Sequence, residues 1–150
     1  MQAGTAVMTH SVASNLVQSA RTANDTAFSL WIPITIPSNA SALKGCRLKS
    51  IDVYFNVGTA ALTSFTEPVL QKVTEPAADA TAPTGAAVTT TSTPANATVL
   101  TVAQHKVTVT LTTPEWMDDD SAYYLDLEID PAATSVLTFY GARANYDLRE

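Results

Sequence analysis

The chain holds one cysteine, two histidines and five glycines, and each shortage removes a class of chemistry. Cys46 alone makes neither an intrachain disulfide nor a thiolate metal cluster. His10 and His105 lie far apart in sequence, which leaves a poor ligand set for zinc and few neutral bases for nucleophilic catalysis. Both histidines read as solvated or packing residues. No Gly-x-Ser-x-Gly turn occurs, and neither of the Gly-rich phosphate-cradling patterns is present. Cations are also scarce, with 8 Lys and Arg against 14 Asp and Glu, for a formal net charge of −6. A nucleic-acid backbone is repelled by that balance. The loose trio Lys44, Arg47 and Lys49 reads as a solvated strand edge rather than a phosphate site. No apolar run approaches the roughly 18 residues of a membrane span. Met1 to Ala13 has neither a basic leader nor a long apolar stretch, so it does not read as a signal peptide. The expectation is a soluble protein made in a reducing cytoplasm, without nucleic-acid or membrane partners.

What the chain has instead is alternation. Val107, Val109 and Leu111 alternate with threonines, and Tyr123, Leu125, Leu127 and Ile129 alternate with Tyr124, Asp126 and Glu128. Leu137 and Phe139 lead through Gly141 to Tyr146-Asp147-Leu148. Successive strand side chains point to opposite faces, so a period of two marks half-buried β-strands. Breaks are expected at Thr113-Pro114-Glu115 and Asp130-Pro131. Earlier, Phe28, Leu30, Ile32, Ile34 and Ile36 share one face while Trp31, Pro33, Thr35 and Pro37 share the other. Two prolines remove ladder donors, so this strand belongs at a sheet edge. In residues 47–58, Ile51, Val53, Phe55 and Val57 face inward, and Leu48 out of phase signals a bulge near Lys49-Ser50. Val69 to Thr74 reads as a short strand between prolines.

Alanine and threonine supply roughly a third of the chain. Threonine suits strands through its stiff β-branch, and alanine suits loops or close contacts. Residues 75–98 are a Pro/Ala/Thr-rich excursion with a short strand expected at Ala87 to Thr91. Val99 to Val102 and Lys106 to Thr112 then read as a hairpin turning at Ala103-Gln104-His105. Residues 1–26 form an N-terminal arm or short strand, with a short helix over Val12, Leu16 and Ala20 also compatible. Residues 27–150 form a single domain. The fold class is all-β: an antiparallel sandwich of jelly-roll type with about eight strands and an extended N-terminal arm.

Few residues suggest a site. Glu115 precedes Asp118-Asp119-Asp120, whose hard oxygens make the one calcium candidate, although the spacing is not that of an EF-hand. An acidic turn is the ordinary reading, and neither metal nor cofactor is expected. Trp31 and Trp116-Met117 are aromatic and soft groups at an edge and a loop. With Pro33 and Pro37 they are the candidate partner contacts. Cys46 reads as a small buried hydrophobe.

The run Lys106-Val-Thr-Val-Thr-Leu-Thr-Thr-Pro-Glu-Trp-Met-Asp resembles small structural proteins of tailed-phage virions. Tyr123-Tyr-Leu-Asp-Leu-Glu-Ile-Asp, Phe139-Tyr-Gly-Ala-Arg-Ala-Asn-Tyr-Asp-Leu and Arg47-Leu-Lys-Ser-Ile-Asp-Val-Tyr-Phe-Asn-Val extend the likeness. It lies in strand style and brings no catalytic residues. The resemblance implies a non-enzymatic β-sandwich that decorates or cements a capsid, commonly as a homotrimer. Its partners are then copies of itself and the major capsid protein or another virion subunit, and its location is the virion. The alternative is a carbohydrate- or receptor-binding module at a head fibre or tail tip, using Trp116, Tyr123 or Tyr124 with the acidic turn.

Overall fold

The computed structural model describes residues 8–13, 16–35, 45–76, 81–117 and 121–148. Pro37 and Asp118, Asp119 and Asp120 lie outside the described residues. Alternation does most of the folding work. Leu125, Leu127 and Ile129 are fully buried, as are Ile51, Val53, Phe55 and Val57, and Val107 and Val109. Each set lines one face of its strand, and the faces meet as a single core between two antiparallel sheets.

The first sheet runs β1 (Met8–Ala13), β2 (Leu16–Arg21), β11 (Val136–Leu148), β4 (Cys46–Gly58), β9 (Ala103–Trp116) and β8 (Thr90–Thr93). The second runs β3 (Phe28–Pro33), β10 (Ser121–Pro131), β6 (Val69–Thr74) and β7 (Thr84–Val88), with β5 (Leu62–Phe65) also on β10. β5 and β6 lie end to end on one side of β10, and the Thr66 N–H bridges their gap by donating to the Glu128 carbonyl. Counting them as one kinked strand, the pairs β2–β11, β3–β10, β4–β9 and β6–β7 nest inside one another. That is one long hairpin rolled into a sandwich, with β11–β4 and β10–β6 closing the roll: a jelly roll. β1 and β8 are additions at the edges of the first sheet.

Several expectations hold at the level of single residues. β3 is an edge strand, in keeping with Pro33 at its end. The bulge falls between Leu48 and Ser50. Cys46 is fully buried, and burial pushes its thiol up. Other expectations change. β9 does not end at Thr113-Pro114-Glu115 but runs on to Trp116; its pairing with β4 skips Leu111 to Pro114 against Lys49 alone and resumes with Glu115 on Leu48 and Trp116 on Arg47. β10 likewise carries through Asp130-Pro131 with a register shift. Asn96–Leu100 is a 3-10 turn that drops Val99 into the end of the core, so no hairpin turns at Ala103 to His105. The excursion holds two short strands instead of one. The chain switches sheets at Thr89, whose carbonyl accepts the Thr112 N–H while the Thr90 hydroxyl donates to the Pro68 carbonyl.

Among the described residues before Phe28 there are two strands and no helix. β1 and β2 form a hairpin with Val12 opposite Val17 and Met8 opposite Arg21. Only Ser19, Ala20 and Arg21 pair with β11, so the far part of the hairpin parts from that strand as an arm. Its root is anchored by Arg21, which is buried with its guanidinium 4.3 Å from the Phe28 ring centre. Arg21 also donates to the Asn24 and Thr26 carbonyls. Burial pushes the Arg21 guanidinium below its ordinary value.

Candidate contact surface

The alternation that buries Phe139 on β11 also fixes what the hairpin presents. Ser19 pairs with Phe139, so Ser19, Val17, His10 and Val12 continue the core-facing side of the sheet. Beyond β3 no strand of the second sheet lies opposite them. Val12 is 72% and Val17 73% exposed, and Leu16 on the other side is also exposed. These are core-type residues in a solvent position. His10 is tied down by a 2.7 Å hydrogen bond between its Nδ1 and the Ser19 hydroxyl.

Between this arm and β3 lies a groove of about 280 Å³ lined by Met8, Val17, Leu30, Trp31, Pro33 and Tyr140, among others. Its lining holds no Lys, Arg, Asp or Glu. A second groove of about 210 Å³, along Ile32 to Thr35 and Ala142 and Ala144, continues down the open side of the sandwich. β3 therefore brings two of the sequence candidates, Trp31 and Pro33, onto one surface with the arm. Trp31 is 49% exposed and lies 6.3 Å from the Tyr124 ring across the β3–β10 pair.

Trp116 and Met117 lie at the end of β9, away from this surface. The Trp116 ring is partly exposed, with the Arg47 guanidinium 5.8 Å from its centre. Met117 is only 8% exposed and belongs to the core, so it presents nothing to a partner. Tyr123 is buried too, its hydroxyl donating to the Trp116 carbonyl, which leaves no open ring face for stacking on a sugar. Lys72 spans the same end of the sandwich, 2.9 Å from Glu115. His105 packs against Phe55, and its Nε2 lies 2.7 Å from the Thr101 carbonyl oxygen.

The outer face of the first sheet carries a feature that the sequence pattern did not single out. Asp52 occupies an outward position on β4 yet is 2% exposed. The Thr108 hydroxyl donates to it at 2.7 Å and the Arg143 guanidinium at 2.8 Å, with the Lys106 ammonium at 3.2 Å. Burial alone would push this carboxyl up. The hydrogen bonds from Thr108, Arg143, Lys106 and Asn145 outweigh it and hold Asp52 well below the usual carboxylate range. The same contact raises Arg143 above its ordinary value.

The outer face of the second sheet is different. Asp126, Glu128 and Asp130 recur at every second position of β10 beside Tyr124, flanked by Ser29, Trp31 and Pro33 of β3. One Asp126 carboxylate oxygen is buried without a hydrogen-bond partner. Burial, with Glu128 adding to it, raises this carboxyl despite a hydrogen bond from Ser29. Among the described residues no group of three His, Cys, Asp or Glu side chains gathers closely enough to hold a metal ion. No described helix is long and apolar enough to cross a membrane. No family model, no curated protein and no solved structure matches the chain.

Proposed function

We propose that this chain is a non-enzymatic structural subunit of a tailed-phage virion, of the decoration or cement type. In this reading it bridges neighbouring shell subunits, contacts the major capsid protein and associates with copies of itself, as a trimer. The observation that carries it is the β1–β2 arm with its apolar groove. Val12, Leu16 and Val17 stand exposed beside a surface without Lys, Arg, Asp or Glu that runs to Trp31 and Pro33. An apolar surface rimmed by polar residues fits a protein contact, where each Å² removed from water contributes about 25 cal/mol. The strand style of β4, β9, β10 and β11, shared with virion proteins, supports the choice of particle.

The test is co-sedimentation with shells assembled from the major capsid protein of the phage that encodes the chain. The wild type is expected to bind saturably and to raise the shell's resistance to heat. A Val12→Asp/Val17→Asp variant is expected to lose at least about tenfold in affinity while keeping its own thermal midpoint, since surface changes typically cost under about 0.5 kcal/mol. Absence of wild-type binding would overturn the decoration reading. The second reading, a carbohydrate- or receptor-binding module, is favoured by the exposed Trp31–Tyr124 pair beside carboxylates. Sugar binding on a glycan array that disappears in Trp31→Ala or Trp116→Ala protein would establish it instead.

A further inference from the structure

The two outer faces of the sandwich carry opposite charge. On the first sheet, among the described residues, Arg47, Lys49, Lys106 and Arg143 face outward with only Asp52 and Asp147 among them. That leaves two positive charges in excess within a chain whose net charge is −6. Two cations converge on the single charge of Asp52, and the Arg143 side chain remains 63% exposed while it does so. On the second sheet, Asp126, Glu128 and Asp130 form a carboxylate row, and no Lys or Arg of the described residues faces outward among them.

Each face also has aromatic anchors beside its charges. Tyr54 and Trp116 lie under Lys106 and Arg47 on the first sheet, and Trp31 and Tyr124 flank the acidic row on the second. Tryptophan, tyrosine and arginine are the residue types that most often dominate the energy of a protein contact.

We propose that the cationic outer face of the first sheet of one copy docks on the acidic outer face of the second sheet of the next copy. The surfaces belong to the same molecule, so a second copy supplies the complementary charge without any further component. Two different patches on opposite sides of the sandwich meet, so the contact is heterologous and builds an open stack rather than a two-fold dimer. The contact does not involve the hairpin arm, and it is tested without shells, so its failure is separable from failure of shell binding.

Sedimentation velocity over a concentration series tests it. Wild-type protein is expected to associate at about 50 mM salt and to weaken by at least about tenfold at about 500 mM, because exposed charges are screened. Glu128→Lys/Asp130→Lys and Lys49→Glu/Lys106→Glu are each expected to lose this salt-dependent association. An equimolar mixture of the two should associate again, since every face then meets one of opposite charge. Circular dichroism and thermal midpoints check folding, and the acidic-face variant leaves the Asp52 cluster untouched. Three results would each overturn the proposal: a wild type monomeric at low salt, association indifferent to salt and to both variants, or assembly that stops at a dimer.

Discussion

At the scale of single residues, Asp52 shows what alternation hides. Its position between Ile51 and Val53 reads as an outward polar residue, and that much is correct. Its burial depends on Thr108 and Arg143, 56 and 91 residues away, which only strand pairing brings to it. No local pattern encodes such a cluster. Its carboxyl is held below the ordinary range in the folded chain, so the stability it contributes is complete above the unfolded-state value near 4 and is lost as pH falls below it. Asp52→Asn is expected to cost about 2 kcal/mol at neutral pH, the scale of hydrogen bonds to a buried charge. It should also flatten the decline in stability between about pH 4 and pH 2. Urea titrations at several pH values check both, and a variant with an unchanged acid slope would mean other carboxylates dominate it.

At the scale of elements, legibility follows burial. β4, β9, β10 and the first half of β11 each put one face into the core, and each is visible as alternation in the sequence. β7 is exposed at Thr84, Gly85, Ala86 and Ala87, and β8 has no buried residue, so neither is under pressure to alternate. The β1–β2 arm is legible in the sequence only as an arm or short strand, and its pairing as two strands escapes detection for the same reason, because its large residues are exposed. Of the partner-contact candidates, Trp31 and Pro33 lie on the edge strand that proline and an outward tryptophan mark in the sequence. Met117 misled because its neighbours suggested a loop tip. Within β11 the register shifts between Phe139 and Gly141, where the strand leaves β2. Gly141 has φ +134°, a conformation that side-chain-bearing residues rarely adopt, although nothing lies within 4 Å of where a Cβ would stand. Gly141→Ala is therefore expected to cost about 1–3 kcal/mol through backbone strain alone. Chemical denaturation checks this, and a cost near zero would show that β11 can relax its bulge.

For the whole molecule, the nested pairing separates local contacts from distant ones. Val88 on β7 meets Leu70 on β6 across the innermost pair, whereas Leu137 on β11 meets Arg21 on β2 across nearly the whole chain. Closing a long loop costs entropy before its contacts repay it. The roll is then expected to start at the β6–β7 end and close last where β11 meets β2. This order also accounts for the placement of the arm, since an element added at the last-formed edge leaves the core intact whatever it later contacts. Val88→Ala is expected to act mainly by slowing folding, and Leu137→Ala mainly by speeding unfolding. Folding itself should fall in the millisecond-to-second range typical of β-sandwiches. Urea chevrons of the two variants decide the matter: the reverse partition would place the first contacts at the chain's two ends and make the arm part of the folding nucleus.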